Sequence, residues 1–310
     1  MTGGGGEAVR VPASGSADAG LGTRRGYVFD NDSRHAREQH GCLAAAYDPF
    51  TTARLAATGV GAGWQCLEVG AGEGSVATWL AHRVAPGGEV VATDIKPDRI
   101  AGAAGIEVLA HDIVRDPLPE AAFDLVHARL VLMHLPERDA VLARLLRALR
   151  PGGWLQLDEL DATHAPALVV PDEAAAALYA RFQRAKFRAL EAAGADPAWG
   201  RRAAEAMRRA GFGEVDPVPK VAVWRSGSPG VRLQAHHTRH LAGALLRAGM
   251  AADELAAVRR LLDHPGFRAC SPVFYTVLGR RPDGGERETD APPGSGAACR
   301  VAGSREEKRR

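Results

Sequence analysis

From Trp64 onward, short apolar runs alternate with segments of helical period, and this alternation restricts the fold more than any other feature. "WQCLEVG" (64–70) reads as a buried strand, "SVATWLAHRVA" (75–85) as a helix closed by Pro86-Gly87-Gly88, and "EVVATDI" (89–95) as a second strand. A short helix from Pro97 leads to a third strand, "IEVLAHD" (106–112), and "FDLVHAR" (123–129) is a fourth. "PERDAVLARLLRALR" (136–150) places Val141, Leu142, Leu145, Leu146 and Leu149 on one helical face. "PGG" stops it, and "WLQLDEL" (154–160) is a fifth strand. Strands this short and this apolar, each followed by a helix, imply a parallel sheet covered on both faces.

The second half is less regular. An amphipathic helix around 172–193 carries Leu178, Tyr179, Phe182, Phe187 and Leu190, and another covers 199–212. A strand-like stretch ends near "KVAVWR" (220–225), helical segments follow at about 231–248 and 252–263, and "SPVFYTVLGRR" (271–281) closes the pattern as a last strand. The expected fold is α/β: a Rossmann-like, doubly wound, mostly parallel sheet of seven strands. Helical cap insertions at about 163–198 and 229–265 would cover its carboxyl edge, and residues 24–58 would form an N-terminal helical lid. The main domain is expected over 59–282. Its flanks, 1–23 and 283–310, are rich in Gly, Ala, Ser and polar residues and read as disordered tails.

Composition narrows the function classes. The 310 residues are 46% hydrophobic and 25% charged, with a net charge of +2. So balanced a charge gives no field that would favour nucleic acid or an anionic membrane. With 5% aromatic residues and no basic stripe between them, a nucleic-acid substrate is not expected. No apolar run approaches the roughly 20 residues of a membrane span, and the first residues lack the apolar core of a signal peptide. A soluble cytoplasmic protein is the expectation. The four cysteines, Cys42, Cys66, Cys270 and Cys299, form no CxxC pair, so no metal site is expected.

"LEVGAGEGS" (67–75) carries the chemistry. In an open α/β sheet, ligands bind beyond the carboxyl ends of the strands, where Gly70, Ala71, Gly72 and Gly74 fall. Glycine turns the chain sharply and brings a ligand against bare amides. Asp94 ends the second strand about 20 residues further on, where an acid takes ribose hydroxyls. A dinucleotide loop wants G-x-G-x-x-G, but here the third glycine comes one residue early and Ser75 stands in its place. Glu68, just before the loop, would repel a pyrophosphate and suits an ammonium group. A ribose, an adenine and a cationic amino-acid end together describe S-adenosyl-L-methionine. Two other readings stay open: a nicotinamide-dependent oxidoreductase on a similar sheet, and a ligand-binding module without catalysis.

"LEVGAGEGS", "VVATDI", "AHDIVRDPLP", "FDLVHARLVLMHLP" and "LLRALRPGGWLQLDELD" occur in this order. Together they resemble the successive motifs of class I S-adenosylmethionine-dependent methyltransferases, over about residues 60–161. The N-terminal "YVFDNDSRHAREQHGCLAAAYDPFTTARL" and the cap are similar to bacterial small-molecule methyltransferases of biosynthetic pathways. The resemblance implies that Glu68 and the Gly70–Gly74 backbone hold the methionine part and that Asp94 accepts both ribose hydroxyls. It further implies that Ile95 packs on adenine, that Asp112 accepts from the adenine amino group beside the Ile113 amide, and that Arg129 lines the methionine pocket. Methyl transfer to O or N of a small metabolite is the implied activity.

His134, in "LVLMHLP" after the fourth strand, is the leading candidate for a general base, because histidine titrates near neutrality. Glu159, Asp161 and His164 follow the fifth strand as further candidates. His236 and His240 in "AHHTRH" lie one helical turn apart and are expected in the substrate pocket. Tyr27 and His40 are expected in the lid. The oligomeric state is left open.

Overall fold

The structure, a computed structural model, describes residue 11, residues 36–100 and residues 102–283. Apart from residues 11 and 283 the expected tails lie outside the described residues, as do the lid residues before 36, Tyr27 among them. A long helix, α1 (Ala36–Ala57), leads into the alternating core: β1 (Gln65–Val69), α2 (Ser75–Val84), β2 (Glu89–Asp94), β3 (Ile106–Ala110), β4 (Phe123–Arg129), α3 (Arg138–Ala148) and β5 (Leu149–Asp161). Next come β6 (Ala167–Val169), α4 (Glu173–Ala192), α5 (Gly200–Ala210), β7 (Gly213–Lys220) and β8 (Val223–Arg225). The chain finishes with α6 (Pro229–His240), α7 (Ala242–Arg247), α8 (Ala252–Asp263), β9 (Arg268–Cys270) and β10 (Val273–Arg280).

Seven strands form one sheet in the order β3-β2-β1-β4-β5-β10-β7. The first five run parallel, and β10 is antiparallel to both of its neighbours. The strand order reverses beside β1, which is where an open sheet of this kind leaves a crevice above its carboxyl ends.

The two faces of the central strands differ in chemistry. Leu67, Val69, Val126, Ala128, Leu155, Leu157 and Val277 share one core cluster with residues of α3 and α5. Each of the Leu and Val side chains among them, fully buried, contributes roughly 1.5–3 kcal/mol. On the other face Cys66 and Leu125 pack with α2 in a second cluster. One pleat further toward the carboxyl end, that same face turns polar: Glu68 pairs in register with His127, and His127 with Gln156. Arg129 and Asp158 are the next such pair. Helix α1 meets this polar row. Thr51 Oγ1 donates to Asp158 Oδ2 at 2.5 Å, and Gln156 Nε2 donates to the Thr51 carbonyl at 3.1 Å.

Two stretches depart from the sequence reading. The fifth strand starts at Leu149, before the "PGG" expected to separate it from the helix. Arg150 to Gly153 are absorbed as a bulge between the pairings Phe123–Leu149 and Leu125–Trp154, with Gly152 at φ 75°. The strand-like stretch expected to end near 220–225 splits in two. β7 forms an edge of the large sheet, where Pro217 and Pro219 are tolerated because one side of an edge strand needs no donors. β8 crosses into a separate small sheet, β6-β9-β8. That small sheet ties both cap segments together, and helical periodicity gave no sign of it.

Helices α4, α6, α7 and α8 carry the cap. Asp172 caps α4 by accepting from the Ala175 amide at 2.8 Å, and Ser228 with Pro229 opens α6. Their buried faces form a third core cluster around Tyr179, Phe182, Phe267 and Phe274.

Candidate active site

A cavity of about 970 Å³ lies between the carboxyl edge of the sheet, α1 and the cap. Small-molecule sites span roughly 300–1,000 Å³, so this one lies at the upper end of that range.

Its floor is the loop after β1. Gly70, Ala71 and Gly72 line it, while Gly74 sits behind at the start of α2. Gly70 (φ 67°) has no room for a side chain, because a Cβ there would meet Val131 Cγ2 at 2.5 Å. Gly72 (φ 61°) lines the cavity, and a Cβ placed on it would meet nothing within 4 Å, so the space beside its backbone is open. Asp94 stands beside it and accepts from the Gly72 amide at 3.1 Å and the Lys96 amide at 3.0 Å. Burial pushes the Asp94 carboxyl up, and those amides pull it back.

Glu68 is 3% exposed and lines the cavity. One of its oxygens lies 2.7 Å from His127 Nδ1, whose other ring nitrogen lies 3.1 Å from Asp158 Oδ2. Burial alone would lower the His127 pKa, but Glu68 and Asp158 together outweigh it and push the imidazole up to about 9. A buried imidazolium thus holds Glu68 in place. Arg129 also lines the cavity, and its guanidinium braces the neighbouring elements. It donates to Asp48 of α1 at 2.6 Å and to Ser75 Oγ of the glycine loop at 3.4 Å. Leu130, directly after β4, has φ 55°, an uncommon backbone for a γ-branched residue, and it too lines the cavity. Its amide donates to the Asp158 carbonyl at 2.8 Å, which holds the turn.

Ile95, Asp112 and Ile113 line the far end. Asp112 Oδ1 accepts from the Val114 amide at 2.9 Å, closing its own loop. On α1, His40 faces the cavity beside Glu73 at 3.7 Å. Burial lowers the His40 pKa. Gln39 Oε1 and Tyr47 Oη are buried on the same helix without a hydrogen-bond partner among the described residues. A polar ligand in the cavity would satisfy such atoms.

His134 lines the cavity from the 3₁₀ turn Leu132–His134. Burial, with Arg138 adding to it, lowers its pKa to about 4. Glu159 lies within β5, fully buried. It accepts from the Leu132 amide at 2.9 Å, and burial pushes its carboxyl up to about 8. It therefore anchors the turn that carries His134. Three expected pocket residues sit elsewhere. The Asp161 carboxylate is held by Arg201 at 2.7 Å and by Thr163, and it is not part of the cavity wall. His236 lies 3.8 Å from Glu38, and neither it nor His240 lines the cavity. The cap's cavity-facing residues on that helix are Leu233, Gln234 and His237, one position out of phase with the expected pair. His164 is exposed.

Carboxylates at or just beyond the strand ends and a glycine loop line a cavity at the reversal point of a parallel sheet, the place where open α/β sheets bind ligands. Residues 67–157 match the family model Methyltransf_11, a methyltransferase domain. Methyltransferase str2 of Strobilurus tenacellus is 36% identical over 137 residues, which is 44% of this chain and 48% of that protein. The ubiquinone/menaquinone biosynthesis C-methyltransferase UbiE of Cupriavidus necator is 32% identical over 120 residues, 36% and 49% of the two chains. The chain thus spans about half the length of the curated relatives it matches. Among solved structures, phosphoethanolamine N-methyltransferase 2 of Haemonchus contortus, in complex with S-adenosylhomocysteine, superposes with a TM-score of 0.51 at 14% identity. That superposition covers 83% of this chain and 60% of that one, a likeness of fold. Residues 67–157 thus form a methyltransferase domain, with S-adenosyl-L-methionine as its cofactor.

Among the described residues there is no cluster of His, Cys, Asp and Glu that could hold a metal ion, and no helix long and apolar enough to cross a membrane.

Proposed function

We propose that this protein transfers a methyl group to an O or N atom of a small metabolite, held between the glycine loop and the cap, in a biosynthetic pathway. The observation that carries this reading is the single continuous cavity. Its wall joins Gly72 and Asp94 to side chains of α4 and α6. When bound, S-adenosylmethionine supplies an electrophilic methyl on a sulfonium, with a neutral thioether as leaving group. The residues present fit such a molecule. Glu68 and the open Gly72 backbone suit its cationic amino-acid end, Asp94 its ribose hydroxyls, Ile95 its adenine ring, and Asp112 with Ile113 the adenine edge. Arg129 braces α1 against the loop and so fixes the floor.

Methyl transfer asks mainly for alignment and exclusion of water. The cap and α1 enclose the cavity and supply both. His134 is the proposed proton acceptor. At neutral pH its imidazole is uncharged, and with a pKa of about 4 it holds a transferred proton weakly. That favours an acceptor whose nucleophilic atom is already deprotonated or loses its proton late.

Calorimetry with S-adenosylhomocysteine tests the first step, with saturable binding expected. Asp94→Ala should weaken it by roughly 10- to 100-fold, the usual loss of hydrogen bonds to a charged group. Unchanged binding in this variant would remove the reading. Transfer of labelled methyl from S-adenosylmethionine to a metabolite extract tests the second step.

A further inference from the structure

Acids line the cavity at one end only, although Lys96, Arg115 and Arg129 stand among them. All of its lining carboxylates come from the sheet loops and their neighbours: Glu68, Glu73, Asp94, Asp112, Asp116 and Glu137. From α4 and α6 come Lys186, Gln234 and His237, and no acid. Lys186 is 5% exposed. Its Nζ donates to Gln234 Oε1 at 2.8 Å and lies 5.7 Å from the centre of the Phe182 ring. Among the described residues no carboxylate pairs with it. A lysine ammonium is rarely buried without an opposite charge, because desolvation is costly and a neutral amide offsets only part of it. Burial accordingly lowers its pKa to about 7.

Gln234 completes the arrangement. An ammonium can only donate, so the atom facing Lys186 is the amide oxygen. The Gln234 Nε2 group makes no hydrogen bond among the described residues. Two side chains joined by a hydrogen bond, Lys186 and Gln234, thus bring two donor groups to the cavity wall, and a carboxylate has two oxygens to accept from them. His237, close enough to feel the Lys186 charge, is held uncharged by burial and does not compete as a cation. The sheet-end and cap residues Leu160, Leu190, Trp224 and Leu233 give the same cavity apolar wall as well.

We propose that the Lys186–Gln234 pair binds a carboxylate, and that the methyl acceptor is an apolar molecule bearing one such group. This rests on the methyltransferase reading above. A dianionic phosphate would want more cations than one lysine provides, which is why the carboxylate is the group assigned.

The test titrates 2-naphthoate and 2-naphthamide into full-length protein saturated with S-adenosylhomocysteine. Naphthoate should bind at least about tenfold more tightly than the uncharged amide of the same shape. Lys186→Met should abolish that preference while S-adenosylhomocysteine still binds, which also shows that the variant is folded. Gln234→Leu should reduce the preference. Equal binding of the two probes, absence of naphthoate binding, or a preference that survives Lys186→Met would overturn the proposal. Failure to bind S-adenosylhomocysteine at all would instead strike the underlying reading, so the two failures are distinguishable.

Discussion

Gly70 and His127 show how single residues fix the cavity floor. At Gly70, any side chain meets Val131 and must also adopt φ 67°. Gly70→Ala should therefore cost about 2 kcal/mol or more, from left-handed backbone plus overpacking. Urea denaturation would measure it. The double variant with Val131→Ala should recover the contact part and not the backbone part. His127 makes stability depend on pH in a definite direction. Its folded pKa, about 9, lies above the ordinary 6.5. Below 6.5 both states are protonated and the stabilisation is fully present. Between 6.5 and 9 the unfolded chain loses its proton while the folded one keeps it, so stability falls, and above 9 the contribution is gone. His127→Gln should be less stable at pH 6 and show a flatter decline from pH 6.5 to 9. The difference is on the order of 1–3 kcal/mol, read from urea midpoints at each pH. Glu68 and Asp94 could be found in the sequence because an acid at the end of an apolar strand is an anomaly in itself. His127, Gln156 and Asp158 were not, since one polar residue in a buried strand says little until β4 is known to lie between β1 and β5. Their spacing, every second residue in β4 and β5, is the signal that was there to use. Lys186 also left a trace. Leu178, Phe182, Lys186 and Leu190 recur at every fourth position, so the lysine falls on the apolar face, where Phe187 had been placed; the structure leaves Phe187 half-buried.

At the scale of elements, α1 is held to the sheet through polar contacts rather than by apolar packing alone. Thr51, Asp48 and the Thr51 carbonyl meet Asp158, Arg129 and Gln156. Thr51→Val preserves shape but leaves a buried Asp158 oxygen with one donor fewer, a cost of about 1–3 kcal/mol. Hydrogen exchange in peptides covering 36–57 should quicken, and peptides from α3 should not change. The five parallel strands and α2 to α5 could be read from apolar runs and helical period, although β5 begins earlier than expected and β3 is only half-buried. The small sheet β6-β9-β8 did not. Its strands have three residues each, too short for any alternation to register, and β9 pairs with Ala167–Val169 and Val223–Arg225, both far from it in the chain.

At the scale of the molecule, sheet and cap share β10, α1 and one cavity, so they should unfold as a unit. Urea transitions followed by tryptophan fluorescence and by far-ultraviolet dichroism should coincide. S-Adenosylhomocysteine at about 100 times its Kd should add about 2.7 kcal/mol to both. Two separated transitions, with only one moved by the ligand, would show cap and sheet to be independent.

The antiparallel β10 is threaded between β5 and β7, although both were made long before it. On the ribosome, the nascent chain therefore carries β5 with one rim bare until Val273–Arg280 has left the exit tunnel. Translation must run almost to the end of the described chain before the sheet can zip shut. Arrested chains ending before Val273 should stay open to protease, whatever cofactor is supplied.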